Sequence, residues 1–236
     1  MEEARPGFAA AWSVADPIEG WLTRAQAAVL YDATSALPPG STVVEIGSHQ
    51  GRSTVVLASA LPAGGTVVAI DPFDPGWRYG GPDTHRRLAA HLASAGVADR
   101  VSIRAEPSRA ARASYEGRVD LLYVDGKHDY WTVRDDLRWA GLVGPGGSVL
   151  VHDAFSSLGV TTALLRTLLP SRDLAYLGRE GSLARLRRER PTLGQRLRVL
   201  AELPWWIRNL TVKVALRLRL RRVARALGHD LPDDPY

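Results

Sequence analysis

The run VVEIGSHQGRST at residues 43–54 constrains this chain more than any other stretch. Val43, Val44 and Ile46 are apolar and β-branched, and LPPGS upstream supplies the break that lets a buried parallel strand begin. The strand carries Glu45 near its end, passes through Gly47, Ser48 and Gly51, and gives way to a helix at Ser53 and Thr54. The glycines are expected to remove side chains where a ligand presses on the backbone. The first N–H groups of the helix then point at a polar group of that ligand. A nucleotide-like cofactor fits this arrangement. The G-x-x-x-G spacing differs from G-x-G-x-x-G, which argues against a dinucleotide and its pyrophosphate.

The 236 residues are 45% hydrophobic and 23% charged, enough for one buried core with a small appendage. There is no cysteine, so disulfides and thiolate metal sites are excluded. The start at Met1, Glu2 and Glu3 lacks the pattern of a signal peptide, and no apolar run is long enough to span a bilayer. A cytoplasmic location is the expectation. The net charge of +5 is unevenly spread: residues 185–225 hold 13 Lys or Arg against only Glu189 and Glu202, while the rest of the chain is mildly acidic.

Thr23 is placed to cap a helix over 23–36, and strands are expected at 42–47, at TVVAIDPF up to Asp71, at 101–105, at 119–125 and at 148–153. Helices are expected at 51–60, 84–95, from Ser108, through Trp139 and Leu142, and near 158–169, with VGPGG read as a turn. LAYLG and SLARLRR read as a closing antiparallel hairpin. Alternating strands and helices imply an α/β doubly wound, mostly parallel seven-stranded sheet. The divisions expected are a helical cap at 1–40, a ligand-binding domain at 41–190 and a basic amphipathic extension at 191–236. Ligands of such sheets sit outside the carboxyl ends of the strands.

Glu45, Asp71, Asp125, His128, His152 and Asp153 all fall at or just beyond strand ends. Asp71 follows the second strand, where a carboxylate can accept two hydrogen bonds from a ribose diol. Asp125 and Asp153 end neighbouring strands, so their carboxylates repel unless a hard divalent cation lies between them. Helix capping is the competing role for each. His128, three residues after Asp125, is suited to take a proton from a hydroxyl in the same cleft. His152 is either a third metal ligand or a buried imidazole bonded to backbone.

Together these residues resemble the class I S-adenosylmethionine-dependent O-methyltransferases, in particular the metal-dependent branch that includes catechol O-methyltransferase and the macrolide-sugar O-methyltransferases. The likeness covers roughly residues 20–190 and rests on a combination: E-x-G-x-x-x-G-x-S, an acid after the second strand, V-D-G-x-H-x-Y, and P-G-G followed by H-D. It implies that Glu45, Gly47 and Ser53 line the methionine end of S-adenosylmethionine, with Ser48 and Gly51 in the same loop. Asp71 would hold the ribose, Ser108 would approach the adenine, and Asp125 and Asp153 would hold Mg²⁺ or Mn²⁺. His128 falls where the catechol enzyme has its catalytic lysine. Ala154 stands where that enzyme has an asparagine ligand, so either His152 fills the position or metal binding is weakened. The implied acceptor is a hydroxyl of a sugar, glycan or other small natural product. Residues 73–82 read either as a substrate lid or as a packed surface loop.

Residues 191–228 lie outside this pattern, with Trp205, Trp206 and VKVALRLRLRRVARAL. Val212, Val214, Leu216, Leu218 and Leu220 alternate with the period of a strand. Peripheral contact with the inner face of a membrane and self-association both suit this composition; nucleic acid ranks behind them, because no recognised binding module accompanies the arginines. Two further readings of the whole chain are an RNA methyltransferase that uses the tail to hold phosphates, and a non-catalytic cofactor-binding module that the tail recruits to a partner.

Overall fold

The structure, a computed structural model, describes residues 5–77 and 79–228. Seven strands form one sheet in the order β3-β2-β1-β4-β5-β7-β6. These are β1 (Thr42–Ile46), β2 (Thr66–Ile70), β3 (Val101–Arg104), β4 (Val119–Val124), β5 (Val143–Val151), β6 (Ala175–Glu180) and β7 (Leu183–Arg187). The first five are parallel, and β7 returns antiparallel to both β5 and β6. The order reverses at β1, which lies between β2 and β4. The cleft expected at such a reversal opens beyond Ile46 and Val124.

Alternation along the central strands fills two cores. Val44, Ile46, Leu122 and Val124 face one side, under α5 (Ser108–Ala113), α6 (Tyr130–Asp136) and α7 (Leu158–Leu168). Val43, Leu121 and Tyr123 face the other, under α1 (Phe8–Ala15), α2 (Arg24–Ser35), α3 (Arg52–Ala60) and α4 (Pro82–Ser94). The expected doubly wound sheet is therefore present. Ala11, Trp12, Leu30 and Tyr31 of α1 and α2 share a core with Val55 and Val56, so these two helices supply part of one layer. Thr23 caps α2 through a reciprocal capping box with Gln26.

Two local expectations are corrected. The VGPGG turn lies inside β5: Val143 pairs with Val119, the register then shifts, and pairing resumes at Ser148 opposite Leu121. The helix expected through Leu142 stops at Asp136 and tightens into a 3₁₀ segment, Leu137–Leu142, which turns Leu137, Trp139 and Ala140 all into the core. The fourth helix, expected from about 84, starts slightly earlier at Pro82, since proline at the first position lacks only an N–H that would have no partner.

The period-two tail is helical, in α8 (Leu193–Ala201), α9 (Leu203–Arg217) and α10 (Arg221–Ala226). Leu, Arg, Lys and Ala dominate residues 213–226, and their helix propensity outweighs the alternation. Val199 reaches the main core, and Trp205 and Trp206 pack against it. Val212, Ala215 and Ala224 close a small core between α9 and α10.

Candidate active site

Beyond β4 and β5 the chain brings two carboxylates and two imidazoles together. His152 Nδ1 lies 3.2 Å from Asp125 Oδ1 and 3.6 Å from Asp153 Oδ2. His128 Nε2 lies 3.1 Å from Asp153 Oδ2 and 3.8 Å from Asp125 Oδ1. Asp125, His152 and Asp153 each offer a ligand atom, all within 4.8 Å of one another. Asp153 and His152 are buried, Asp125 is half-buried, and the His128 side chain remains 45% exposed. Parallel pairing explains the convergence, because β4 and β5 run side by side to Val124 and Val151.

The electrostatics of the cluster are reciprocal. Burial disfavours an imidazolium at His152, but the charge of Asp125 and hydrogen bonds to both carboxylates outweigh it, so its pKa is raised. His128 is raised in the same way by Asp125 and Asp153 against the cost of burial. Burial pushes the two carboxyls up, yet the paired imidazoles bring both below their ordinary value. Asp153 is held further by Ser156 Oγ, which donates to its Oδ1 at 3.0 Å, and Asp125 by Tyr123, whose hydroxyl donates to Oδ2 at 2.9 Å.

His152 is bonded to side chains, not backbone. Gln26 Oε1 accepts the Thr23 N–H at 3.0 Å, and the same oxygen lies 3.2 Å from His152 Nε2. An oxygen engaged by a backbone donor offers acceptance only, so Nε2 of His152 carries the proton. In the neutral ring Nδ1 then presents a lone pair to the carboxylates, the orientation a metal-bound imidazole requires. Gln26 Nε2 donates onward to Ser182 Oγ at 3.1 Å. Ala154 is fully buried and donates its N–H to the Ser182 carbonyl, so it contributes no ligand. The chemistry of the donor set fits a divalent cation held by Asp125, His152 and Asp153.

The loop after β1 adjoins this cluster. Gly47 has φ +90°, and a Cβ there would stand 2.2 Å from the Asp125 carbonyl oxygen. A Cβ on Gly51, at φ +94°, would stand 2.6 Å from Leu88. The fold itself thus calls for glycine at both positions, Gly47 through the Asp125 backbone and its positive φ, Gly51 chiefly through its positive φ. Asp71 is half-buried beside the loop; its Oδ2 accepts the His49 N–H at 3.0 Å and its Oδ1 the Phe73 N–H at 2.9 Å. That fixes its carboxylate at the mouth while leaving lone pairs for a diol.

Glu45 lies beneath the loop after β1. It is fully buried, and its two oxygens accept the Ser53 and Thr54 hydroxyls at 2.5 Å each, so Glu45 and Ser53 face each other beneath the loop. Burial pushes its carboxyl up to about 7, against the pull of those hydroxyls. Ser48 is buried in the turn. Ser108 opens α5 and donates its hydroxyl to Asp136, whose carboxyl burial raises to about 6.

Sequence reasoning missed several neighbours. Trp21, His49 and Tyr79 form an aromatic wall, with ring centroids of Trp21 and Tyr79 4.8 Å apart. Trp77 meets Tyr79 at 6.1 Å, and Lys127 Nζ sits 5.3 Å over the Trp77 ring. Within the segment 73–82, Phe73 is buried and stacks on His85, as a packed surface loop requires, whereas Trp77 is exposed and meets Lys127 of the loop after β4. From the tail, Asn209 donates to the Phe155 carbonyl and Lys213 to that of Ser156, just beyond Asp153. Of five non-glycine residues at positive φ among those described, His49, Phe73, Asp153 and Phe155 lie on these loops. Such strain persists only where surrounding contacts enforce it.

Comparison with known proteins agrees with this geometry. Residues 44–154 match the family described as a methyltransferase domain. The uncharacterized protein y4gI of Sinorhizobium fredii is 30% identical over 144 residues, 58% of this chain; the chain spans about 15% of that curated relative. Among solved structures, cofactor-bound Rv0187 from MTB is 22% identical with a TM-score of 0.61, covering 78% of this chain and 89% of its own. An O-methyltransferase from Bacillus cereus in complex with SAH is 18% identical, TM-score 0.60, covering 78% and 92%. TomG from Streptomyces achromogenes, an O-methyltransferase involved in tomaymycin synthesis and solved with SAM, is 21% identical, TM-score 0.57, covering 78% and 89%. A reversal-point cleft and a fixed acid beyond β2 accompany a match to a methyltransferase-domain family that runs from β1 through Asp153, and the fold is the one these solved structures share.

Proposed function

We propose that the chain transfers a methyl group from S-adenosylmethionine to a hydroxyl oxygen of a sugar or other small natural product, with a divalent cation held by Asp125, His152 and Asp153. The observation that carries this reading is the convergence of those three ligand atoms within 4.8 Å, with His128 Nε2 3.1 Å from Asp153. When bound, the donor supplies a methyl on a positively charged sulfur, and the cation lowers the pKa of a hydroxyl it touches. The protein's share is placement and proton removal.

Asp71 orients the ribose, the loop from Gly47 to Gly51 sets the donor's depth, and Ser108 stands at the adenine side. His128, the most exposed member of the cluster, is the base. It accepts a proton only when neutral; Asp125 and Asp153 favour its protonated form, and would do so less if their charge were shared with a cation. The exposed rings of Trp21 and Trp77 suit the C–H face of a sugar or a planar acceptor.

Turnover of tritiated S-adenosylmethionine on a panel of glycosides tests this directly. Activity should require added Mn²⁺ or Mg²⁺ and vanish with chelator. Gln26→Ala should weaken Mn²⁺ binding about 10- to 100-fold, read by calorimetry, with donor affinity unchanged. Chelator-insensitive turnover would remove the cation from the mechanism, and failure to bind the donor would remove the reading altogether.

A further inference from the structure

We propose that α8, α9 and α10 form a docking surface for an anionic lipid bilayer. Each helix turns one side inward and leaves apolar residues outside. On α8, Leu193, Leu197 and Leu200 are exposed at i, i+4 and i+7, while Val199 is buried. On α9 the exposed residues are Ile207 and Val214, continued by Leu218 at its C-cap; Asn209, Val212 and Ala215 face inward. Leu220 and Val223 extend the exposed set into α10. This is the one-sided pattern of a helix that lies in an interface.

Charge decides what covers it. Between Leu203 and Gly228 there is no acid, against Arg208, Lys213, Arg217, Arg219, Arg221, Arg222 and Arg225. Arg208 is tied to the Leu227 and Gly228 carbonyls and Lys213 to that of Ser156. The other five are exposed and make no ion pair among the described residues. A two-fold contact between copies through this face would bring two sets of these arginines together, and α8 to α10 offer only Glu202 as an acid between Leu193 and Gly228. RNA offers phosphates but no apolar phase for leucines, and Trp205 and Trp206 pack on the core instead of forming a stacking platform. An anionic bilayer supplies both partners: headgroups worth about 1 kcal/mol per arginine, and an acyl boundary for the leucines. No helix among the described residues is long and apolar enough to cross a membrane, so these helices lie along it.

The inner side of α9 holds the Phe155 and Ser156 carbonyls, so the cleft loop stands about one helix diameter, roughly 10 Å, from the docked face. The proposal is independent of the acceptor and of the metal.

Co-sedimentation of the full chain with phosphatidylcholine vesicles, and with equal parts phosphatidylcholine and phosphatidylglycerol, tests it. Binding should be about tenfold or more tighter to the anionic vesicles and should weaken with salt. The combined variant Ile207→Ser, Val214→Ser, Leu218→Ser keeps every charge and should lose about tenfold, with an unchanged near-ultraviolet circular dichroism spectrum as the check on folding. Equal binding to neutral vesicles, or none to anionic ones, overturns the proposal. So does a serine variant that binds as the parent does while a short RNA displaces the vesicles, which points to nucleic acid. A lipid-free dimer abolished by the serine substitutions would assign the face to a second copy instead.

Discussion

In the cleft, Asp125, His128, His152 and Asp153 answer one another's charges within 4 Å, and only His128 is appreciably open to water. In the tail, Arg217, Arg219, Arg221, Arg222 and Arg225 are all exposed and form no ion pair among the described residues. The first arrangement is nearly closed: His152 and Asp153 are desolvated, and paired charges compensate the loss. The second is open, its cations solvated and available. Burial therefore sorts ionisable residues into those on which the fold depends and those that it merely carries.

The sharpest way to break this contrast is Asp153→Ala. It leaves the His152 imidazolium buried with half its compensation, and urea unfolding should show a loss of about 3–5 kcal/mol together with loss of Mn²⁺ binding. A change near zero would mean that the cluster is solvated after all. Glu45 gives the next effect, and its sign is opposite. Its folded pKa of about 7 lies above the ordinary 4.5, so the native state binds the extra proton and stability falls as pH rises from about 4.5 to 7, by about 3 kcal/mol. Glu45→Gln should remove that slope; identical pH profiles of thermal midpoint in variant and parent would refute the buried assignment. The smallest effect belongs to the tail. Arg217→Gln, Arg221→Gln and Arg222→Gln should each move stability by less than about 0.5 kcal/mol, and a larger loss would show hidden partners.

What could be read in advance follows the same division. All seven strands were legible, because β-branched runs bounded by turn residues leave little alternative at Val43, Val67 or Leu121. The cluster was legible as strand-end acids and histidines, since parallel pairing puts neighbouring strand ends together. Gln26 was not. Thr23-x-x-Gln26 announces a capping box, but nothing local says that the same oxygen meets an imidazole 126 residues away. Asn209 and Lys213 are hidden for the same reason. Glu45 was placed at the right strand end, but its hydroxyl partners were hidden, because sequence spacing does not reveal that Ser53 and Thr54 turn back toward it. The helical tail was obscured by an alternation that does not follow burial: Val212 is buried, whereas Val214, Leu218 and Leu220 are exposed.

One contact described above sets a length. Gly47 meets the Asp125 backbone so closely that no side chain fits between them. The loop after β1 and the loop that leads to His128 are thereby spaced like two jaws on a fixed gauge block. Transfer between bound molecules needs reacting atoms about 3–3.5 Å apart, and a misplacement of about 1 Å can cost about 10²-fold in rate. An alanine at residue 47 would thicken the block. Donor and acceptor could then each bind well and still stand too far apart to react.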